Sequence, residues 1–217
     1  MRTLYHVPIS FNSRRVWVAL LEKGLEFELQ DMKLDGDQFE PQFLALNPFH
    51  QIPVLVDGDV TVFESLAILD YLEAQYPQPS LLPQHPPTLA KVKMVEMVAV
   101  NQLVPSLPPL IRHSLGIVQG DEQVLEGARQ KAQTVLSYFE QIMPENNYFG
   151  GESITLAEVV LGTITPLLPS FGIPLSSYPR LQQWTKNLSL RESWQKSQAT
   201  PQQIESFKAA MKKLLTK

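Results

Sequence analysis

The chain has 217 residues, 44% of them hydrophobic, and a formal net charge of −4. This length suits two domains with separate cores, and an acidic chain with few basic runs disfavours nucleic acid or an anionic membrane as a partner. Because the chain has no cysteine, disulfides, thiolate metal sites and a cysteine nucleophile are excluded, and any thiol chemistry must use a ligand's thiol. The N-terminus lacks a signal-peptide pattern and prolines interrupt the most apolar stretch, so we expect a cytoplasmic protein that does not span a membrane.

The first third of the chain alternates β-like and amphipathic helical segments. A strand at residues 3–7, a helix at 14–23 that ends at Gly24, and a strand at 26–30 predict a βαβ unit. The sequence Asp57-Gly58-Asp59 then indicates a hairpin turn. The remaining segments predicted here are a short helix, the two hairpin strands and a longer helix, at residues 41–46, 54–56, 60–63 and 64–75.

Beyond residue 77 the pattern changes to a linker and then to helices. Five prolines between residues 77 and 87 predict a stiff, extended connection. Helical periodicity follows at residues 89–103, 123–143, 155–168, 180–190 and 202–215. Thr155 and Glu158 have the spacing of a capping box at the start of the helix predicted at residues 155–168. We therefore predict an α/β plus all-α protein with a first domain at residues 1–77, a linker at 78–87 and an all-helical domain at 88–217.

Several common catalytic motifs are missing from the sequence. Dinucleotide, nucleotide-phosphate, zinc-protease and serine-hydrolase signatures are absent. The four histidines are too scattered for a ligand pair on one helix: His6, His50, His85 and His113. We expect no metal site.

Four local motifs occur in order along the chain. They are SFNSRRV at residues 10–16, NPFHQIPVL at 47–55, FESLAI at 63–68, and ITLAE at 154–158 followed by YPRLQQW at 178–184. With these motifs the chain resembles the cytosolic glutathione transferase family over nearly its whole length, most closely its serine-dependent tau, phi, zeta and theta types. The resemblance implies a thioredoxin-like first domain, glutathione as co-substrate, no metal, and a homodimer.

Ser10 is the candidate catalytic residue. It lies between a predicted strand and a helix that starts near Ser13, so its hydroxyl would be close to the positive end of that helix. The resemblance implies that this hydroxyl donates a hydrogen bond to the sulfur of glutathione and favours the thiolate. The alternatives are that Ser10 is only a loop residue or cap, that Ser13 is the stronger cap, and that Asn12, a predicted glutathione contact, is the donor.

Two further segments are predicted to bind glutathione. The resemblance implies a cis Ile52–Pro53 bond, with the Ile52 backbone pairing with the cysteinyl part of glutathione like an added strand. The N-terminal helix groups, Glu64 and Ser65 would suit the γ-glutamyl end. An ordinary trans proline and a plain helix cap are the alternatives.

The glycyl end of glutathione has weaker candidates. Gln38, His50 and Gln51 are polar residues that suit a carboxylate, although ordinary surface residues explain them equally well. The sequence also departs from its relatives at this end and beside Ser10. His50 stands where phi-type members often carry glycine, and Phe11 stands where tau-type members often carry proline.

We expect the second substrate in an apolar pocket between the domains. Three prolines in residues 104–113 would bend a long helix near that pocket. Its candidate residues are Phe11, Leu107, Ile111, Arg112, His113 and Phe207, with solvent exposure as the alternative for Arg112 and His113.

The predicted function is transfer of the glutathione thiolate to small, mainly hydrophobic electrophiles. Three alternatives use the same residues. They are a glutathione-dependent isomerase of the zeta type, a non-catalytic binding module resembling a glutathione transferase, and a lyase or peroxidase with a dedicated metabolite.

Overall fold

The computed structural model describes residues 1–33, 36–144 and 148–215, with side chains to residue 210. Its contacts divide the chain into two units. Residues Met1–Ser80 and Glu192–Lys217 form the first unit, and Leu81–Arg191 form the second.

The first unit is built on a sheet of β1 (Arg2–His6), β2 (Glu28–Asp31), β3 (Val54–Asp57) and β4 (Val60–Phe63). The strand order is β2-β1-β3-β4. Strands β1 and β2 are parallel, whereas β3 is antiparallel to both β1 and β4. Gly58 adopts a φ of 60°, which suits glycine and closes the turn between β3 and β4. The predicted βαβ unit and hairpin are confirmed.

Three helices accompany this sheet: α1 (Phe11–Glu22), α2 (Pro41–Leu44) and α3 (Ser65–Gln75). Helices α1 and α3 contact each other. Helix α1 also contacts β1, and helix α3 also contacts β3. The buried faces of α1 and α3 are apolar at Val16, Ala19, Leu69 and Leu72, as the periodicity of the sequence predicts.

The second unit is helical, as predicted. Its helices are α4 (Pro86–Val98), α5 (Pro108–Ser114), α6 (Glu122–Ile142), α7 (Leu156–Leu161) and α8 (Pro179–Ser189). Helix α6 is amphipathic, and Leu125, Ala132, Leu136 and Phe139 lie on its buried face.

The segment from α4 to α5 bends where the sequence carries prolines. A π-helical turn at Ala99–Leu103 and a 3₁₀ turn at Val104–Ser106 separate the two helices. Among the described residues, no single helix is long and apolar enough to cross a bilayer. One bent pair, Pro86–Ser106 with Pro108–Ser114 at 52°, does meet that test on length and composition.

The predicted helix at residues 155–168 is interrupted in the structure. Helix α7 ends at Leu161, and a 3₁₀ helix follows at Thr165–Phe171. Pro166 and Pro169 lack the N–H groups that a continuous α-helix requires, so the prediction of one long helix is wrong. The predicted capping box at Thr155 is present.

Two helices follow the second unit: α9 (Glu192–Lys196) and α10 (Pro201–Leu215). Helix α9 contacts α1, and Arg14 of α1 donates to the Trp194 carbonyl at 3.0 Å and to Ser197 Oγ at 3.2 Å. Burial lowers the pKa of Arg14 to about 10. These contacts explain why residues 192–217 group with the first unit, whereas the predicted boundaries assign them to the domain at 88–217. The predicted boundaries stay a proposal.

Candidate functional site

Ser10 occupies the N-cap position of α1. Its backbone is extended, with φ −77° and ψ 118°, and its Oγ accepts a hydrogen bond from the Ser13 backbone N–H at 3.4 Å. The positive end of the helix dipole is therefore at this hydroxyl. Within the described residues, no acceptor takes the Ser10 O–H proton. The hydroxyl caps the helix through a lone pair and keeps its proton for another acceptor.

The start of α1 differs from the sequence prediction. The helix begins at Phe11, so Ser13 lies in its first turn, and the prediction that Ser13 is the stronger cap is wrong. Ser13 is buried, and its Oγ accepts from the Val7 backbone N–H at 3.2 Å. That bond ties the end of β1 to α1 and fixes the segment before Ser10. Asn12 is half-buried in the first turn.

The segment before β3 contains the cis peptide that the resemblance implies, at Ile52–Pro53. The buried side chain of Asn47 organises this segment, because its amide donates to the Gln51 carbonyl at 2.8 Å and accepts from the Phe49 N–H at 3.0 Å. In the described part of the chain, neither backbone polar group of Ile52 has a backbone partner. An extended ligand could therefore pair with Ile52.

Glu64 and Ser65 stand at the N-terminus of α3. Glu64 has a φ of 67°, a rare conformation for a residue other than glycine, and its side chain is exposed. Such strain is often found at ligand sites. Ser65 is buried, and its Oγ accepts from Arg15 Nη1 at 3.4 Å. The fully buried Arg15 guanidinium thus lies directly behind the first residue of α3.

One apolar cluster connects these three segments. Val7, Met32, Phe43 and Val54 form its buried part. The residues that pack against it include the neighbours of the candidate site residues: Ile9 before Ser10, Ile52 before Pro53, and Phe63 before Glu64. The residues that precede Ser10, Pro53 and Glu64 therefore all pack on one cluster of the first unit.

Two of the glycyl-end candidates, Gln38 and His50, lie beside the exposed ring of Phe39. Gln38 is in a 3₁₀ helix at Asp37–Phe39, and its side-chain oxygen is buried without a hydrogen-bond partner among the described residues. The adjacent Phe39 ring is 5.0 Å from the His50 ring. His50 has a φ of 58°, and both His50 and Gln51 are exposed. The glycine that phi-type members often carry here would adopt this φ without strain. A histidine at the same φ strains the backbone.

The electrophile candidates divide between the two units. In the first unit, Phe11 and Phe207 are half-buried. Phe207 lines a cavity of about 410 Å³ together with Pro8 and Ile9, the two residues before Ser10.

In the second unit, Leu107 is fully buried and packs in the core, whereas Ile111 is half-buried. Arg112 and His113 are exposed, and His113 Nδ1 accepts from the Gly120 N–H at 3.3 Å.

Sequence reasoning missed two groups of this site. Asn47 was quoted only as part of a motif, although an asparagine before proline is a recognisable signal for a side chain that organises a turn. His6 was considered only as a metal ligand. Its buried ring lies edge-on to Trp17 at 5.2 Å, and its Nε2 is 2.6 Å from Asp31 Oδ1.

The cis proline in the first unit and the helical second unit are the features that the resemblance to glutathione transferases implies. Comparison with known proteins agrees. The glutathione S-transferase N-terminal domain matches residues 4–80, and the glutathione S-transferase C-terminal domain matches residues 72–192. The chain belongs to the glutathione S-transferase family, and the predicted fold and enzyme class, glutathione transferase, are confirmed.

Individual relatives are similar over nearly their full length. Glutathione S-transferase 3 of Zea mays is 35% identical over 90% of this chain and 92% of its own. Maleylacetoacetate isomerase of Rattus norvegicus is 32% identical over 89% of this chain and 90% of its own. The crystal structure of a glutathione S-transferase from Rhodospirillum rubrum F11 is similar with a TM-score of 0.80 and 28% identity, over 93% of this chain and 94% of that one.

Proposed function

We propose that the protein conjugates the glutathione thiolate to small, mainly hydrophobic electrophiles, with Ser10 as the hydrogen-bond donor to the sulfur. The observation that carries this proposal is the geometry of Ser10. Its lone pair caps α1, and its O–H proton has no acceptor in the described part of the chain. A thiolate at the positive end of α1 would accept that proton.

The energetics of this arrangement are sufficient. Lowering the pKa of a thiol by one to two units requires about 1.4 to 2.7 kcal/mol. A hydrogen bond to a charged group contributes about 1.5 to 3 kcal/mol, and the helix N-terminus adds about 0.3 to 1 kcal/mol. In the reaction, the thiol proton leaves to solvent and the sulfur forms a bond to the electrophilic carbon. With an aryl halide, the halide departs with the electron pair of the bond that breaks. With an isothiocyanate nothing leaves, and the adduct takes up a proton from solvent.

We assign the rest of glutathione by chemical type. Glu64 would bind the γ-glutamyl ammonium, and the Ser65 hydroxyl with the N–H groups of α3 would bind its carboxylate. The Ile52 backbone would pair with the cysteinyl part. Gln38, His50 and Gln51, with Asn12 as a further contact, stay candidates for the remaining polar groups.

We further propose a homodimer. Large apolar side chains are exposed in each unit: Phe49 of the first unit is 64% exposed, and Met94 and Met97 on α4 are 50% and 43% exposed. Burial of these side chains against a second copy of the chain would stabilise a dimer through the hydrophobic effect. The cytoplasmic location and the electrophile contacts of Ile111, Arg112 and His113 stay predictions.

A glutathione-dependent isomerase is the second candidate. The observation in its favour is the similarity to a protein named maleylacetoacetate isomerase, at 32% identity. An isomerase would use the same thiolate as a reversible nucleophile and release glutathione unchanged. Product analysis therefore separates the two functions, because only conjugation consumes glutathione.

Three substitutions of Ser10 test the proposal. Ser10→Ala removes both the helix cap and the hydrogen-bond donor. Ser10→Asp keeps an oxygen that can cap the helix, but its ionised carboxylate has no proton to donate. Ser10→Thr keeps both the cap and the donor. We would measure glutathione binding, the pKa of bound glutathione from its thiolate absorbance, and conjugation of an aryl halide and an isothiocyanate. We expect Ser10→Thr to retain activity and Ser10→Asp to lose it while remaining folded. Full activity in Ser10→Ala would overturn the role of Ser10 and direct attention to Asn12.

A further inference from the structure

The cavity beside Ser10 lies wholly within the first unit. Its lining comes from the end of β1 and the following segment, from the end of β2 and from α10: Val7, Pro8, Ile9, Asp31, Met32, Lys33, Gln202, Gln203, Ser206, Phe207 and Ala210. A volume of about 410 Å³ suits a small organic molecule. Since Pro8 and Ile9 directly precede Ser10, a molecule in this cavity would be next to the proposed thiolate.

One part of the cavity is apolar and rigidly supported. Val7 and Met32 belong to the buried cluster, and Ile9 packs against it. The Met32 N–H donates to the His6 carbonyl at 2.8 Å, which fixes the backbone next to Lys33. Phe207 of α10 adds an aromatic ring to the lining. This part suits the apolar body of an electrophile.

The two charged residues of the lining differ in their partners. The Asp31 carboxylate lies 2.6 Å from Nε2 of the buried His6 ring. Lys33 uses its backbone N–H to bond Asp37 Oδ2 at 2.9 Å, which anchors the residue at the edge of the cavity. Its exposed ammonium forms no ion pair with any acid in the described ranges. Lys33 therefore presents a positive charge whose counter-ion the described residues do not supply.

We propose that the second substrate is an amphipathic monoanion, an apolar electrophile with one carboxylate, and that Lys33 selects it by pairing with that carboxylate. This inference rests on the proposed function, because it assigns the electrophile to the cavity beside Ser10. The other polar residues of the lining, Gln202, Gln203 and Ser206, are neutral. The negative charge of Asp31 opposes the binding of any anion and acts on both carboxylates of a dianion, so only the carboxylate that pairs with Lys33 is compensated.

A matched pair of substrates tests the proposal. Chlorodinitrobenzene and chlorodinitrobenzoate share the reacting centre and differ by one carboxylate. At saturating glutathione, we expect Lys33→Gln to lower kcat/KM for the benzoate roughly fivefold and to change that for the neutral halide by less than about twofold. The wild-type preference for the benzoate should also shrink at high salt, since an exposed pair is screened.

Lys196→Gln is the control variant. Lys196 is an exposed lysine of the same unit, pairs with Glu192, and does not line the cavity. We expect it to leave both substrates unaffected. If Lys33→Gln alters both substrates equally, alters neither, or changes only the KM for glutathione, the proposal is overturned.

A binding measurement separates this inference from the proposed function. Dinitrobenzoate and dinitrobenzene lack a leaving group, so their affinities can be measured by calorimetry without turnover. We expect Lys33→Gln to weaken dinitrobenzoate roughly fivefold and dinitrobenzene hardly at all. If this binding result is found but the wild type conjugates no substrate, the proposed function is contradicted and the role of Lys33 is not. Unchanged dinitrobenzoate affinity would overturn the role of Lys33.

Discussion

The N-termini of α1 and α7 both carry a capping side chain, but the two caps differ in burial and in the number of bonds. Ser10 at α1 is half-buried and accepts one N–H at 3.4 Å. At α7 the Glu158 carboxylate is fully buried. It accepts from the Phe149 N–H at 2.7 Å, the Thr155 N–H at 2.9 Å and the Thr155 hydroxyl at 2.5 Å.

This difference separates a structural cap from one that can bind a ligand. Burial raises the pKa of Glu158, although the hydrogen bonds from Thr155 and Phe149 act in the opposite direction. The bonds to Glu158 all come from the protein itself, so this buried carboxylate serves the structure. Ser10 keeps a proton to donate beside a positive helix end. An N-cap side chain with an uncommitted proton therefore indicates a place where a ligand can bind.

The largest expected effect is on stability at the buried cap of α7. Glu158→Ala leaves the buried N–H groups of Phe149 and Thr155 without their acceptor, and we expect a loss of about 4 kcal/mol in the free energy of unfolding. Urea denaturation measures it. Glu122→Ala, at an exposed residue paired with Arg129, should cost less than about 0.5 kcal/mol. A Glu158→Ala loss no larger than the control would show that the buried cap is dispensable.

The next effect is on activity at the Ser10 cap of α1. Ser10→Ala should reduce kcat/KM about 30-fold, equivalent to about 2 kcal/mol of transition-state stabilisation. Its free energy of unfolding should fall by only about 1 kcal/mol, the usual value of an N-cap. Steady-state kinetics and urea denaturation on the same preparation compare the two losses. A stability loss that exceeds the activity loss would make Ser10 a structural cap like the one at α7.

The smallest expected effects are in the pH dependence of stability. Burial lowers the pKa of His6 below 6.5, although Asp31 opposes the shift. As pH falls through 6.5, the unfolded chain therefore binds more protons than the folded chain, and stability declines. The raised pKa of Glu158 has the opposite sign: stability declines as pH rises above 4.5. We expect His6→Gln and Glu158→Gln to change the slope of unfolding free energy in opposite directions between about pH 5 and 7. If both substitutions change the slope in the same direction, the assigned pKa shift of His6 or of Glu158 is wrong.

Local sequence signals located most of the helices and strands. The hairpin at Gly58, the capping box at Thr155 and the start of α2 at Pro41 follow from short-range backbone preferences, and the structure contains all three. The start of α1 was misplaced because both Ser10 and Ser13 are good caps. The bond from the Val7 N–H to Ser13 decided between them, and that bond depends on the position of β1.

Other contacts near the site had no local signal. The buried pair of Arg15 and Ser65 joins residues 50 apart in sequence, and the bond from Arg14 to Ser197 joins residues 183 apart. Helix α9 was missed because five residues are too few for a periodic pattern. The cavity beside Ser10 likewise depends on where α10 lies in the first unit, which periodicity does not specify.

The fold class, most of the order of the elements, the lack of an internal thiol and the motif that carries Ser10 were predictable from the sequence alone. These properties depend on residue type and short-range spacing, which a linear pattern records. Only the tertiary structure decided that Ser10 caps α1 with its proton uncommitted, that Ile9, Ile52 and Phe63 meet on one cluster, and that Lys33 lines a cavity without a counter-ion among the described residues. Those properties arise from packing between distant segments, where burial and the position of the partner determine which hydrogen bonds and charges are satisfied.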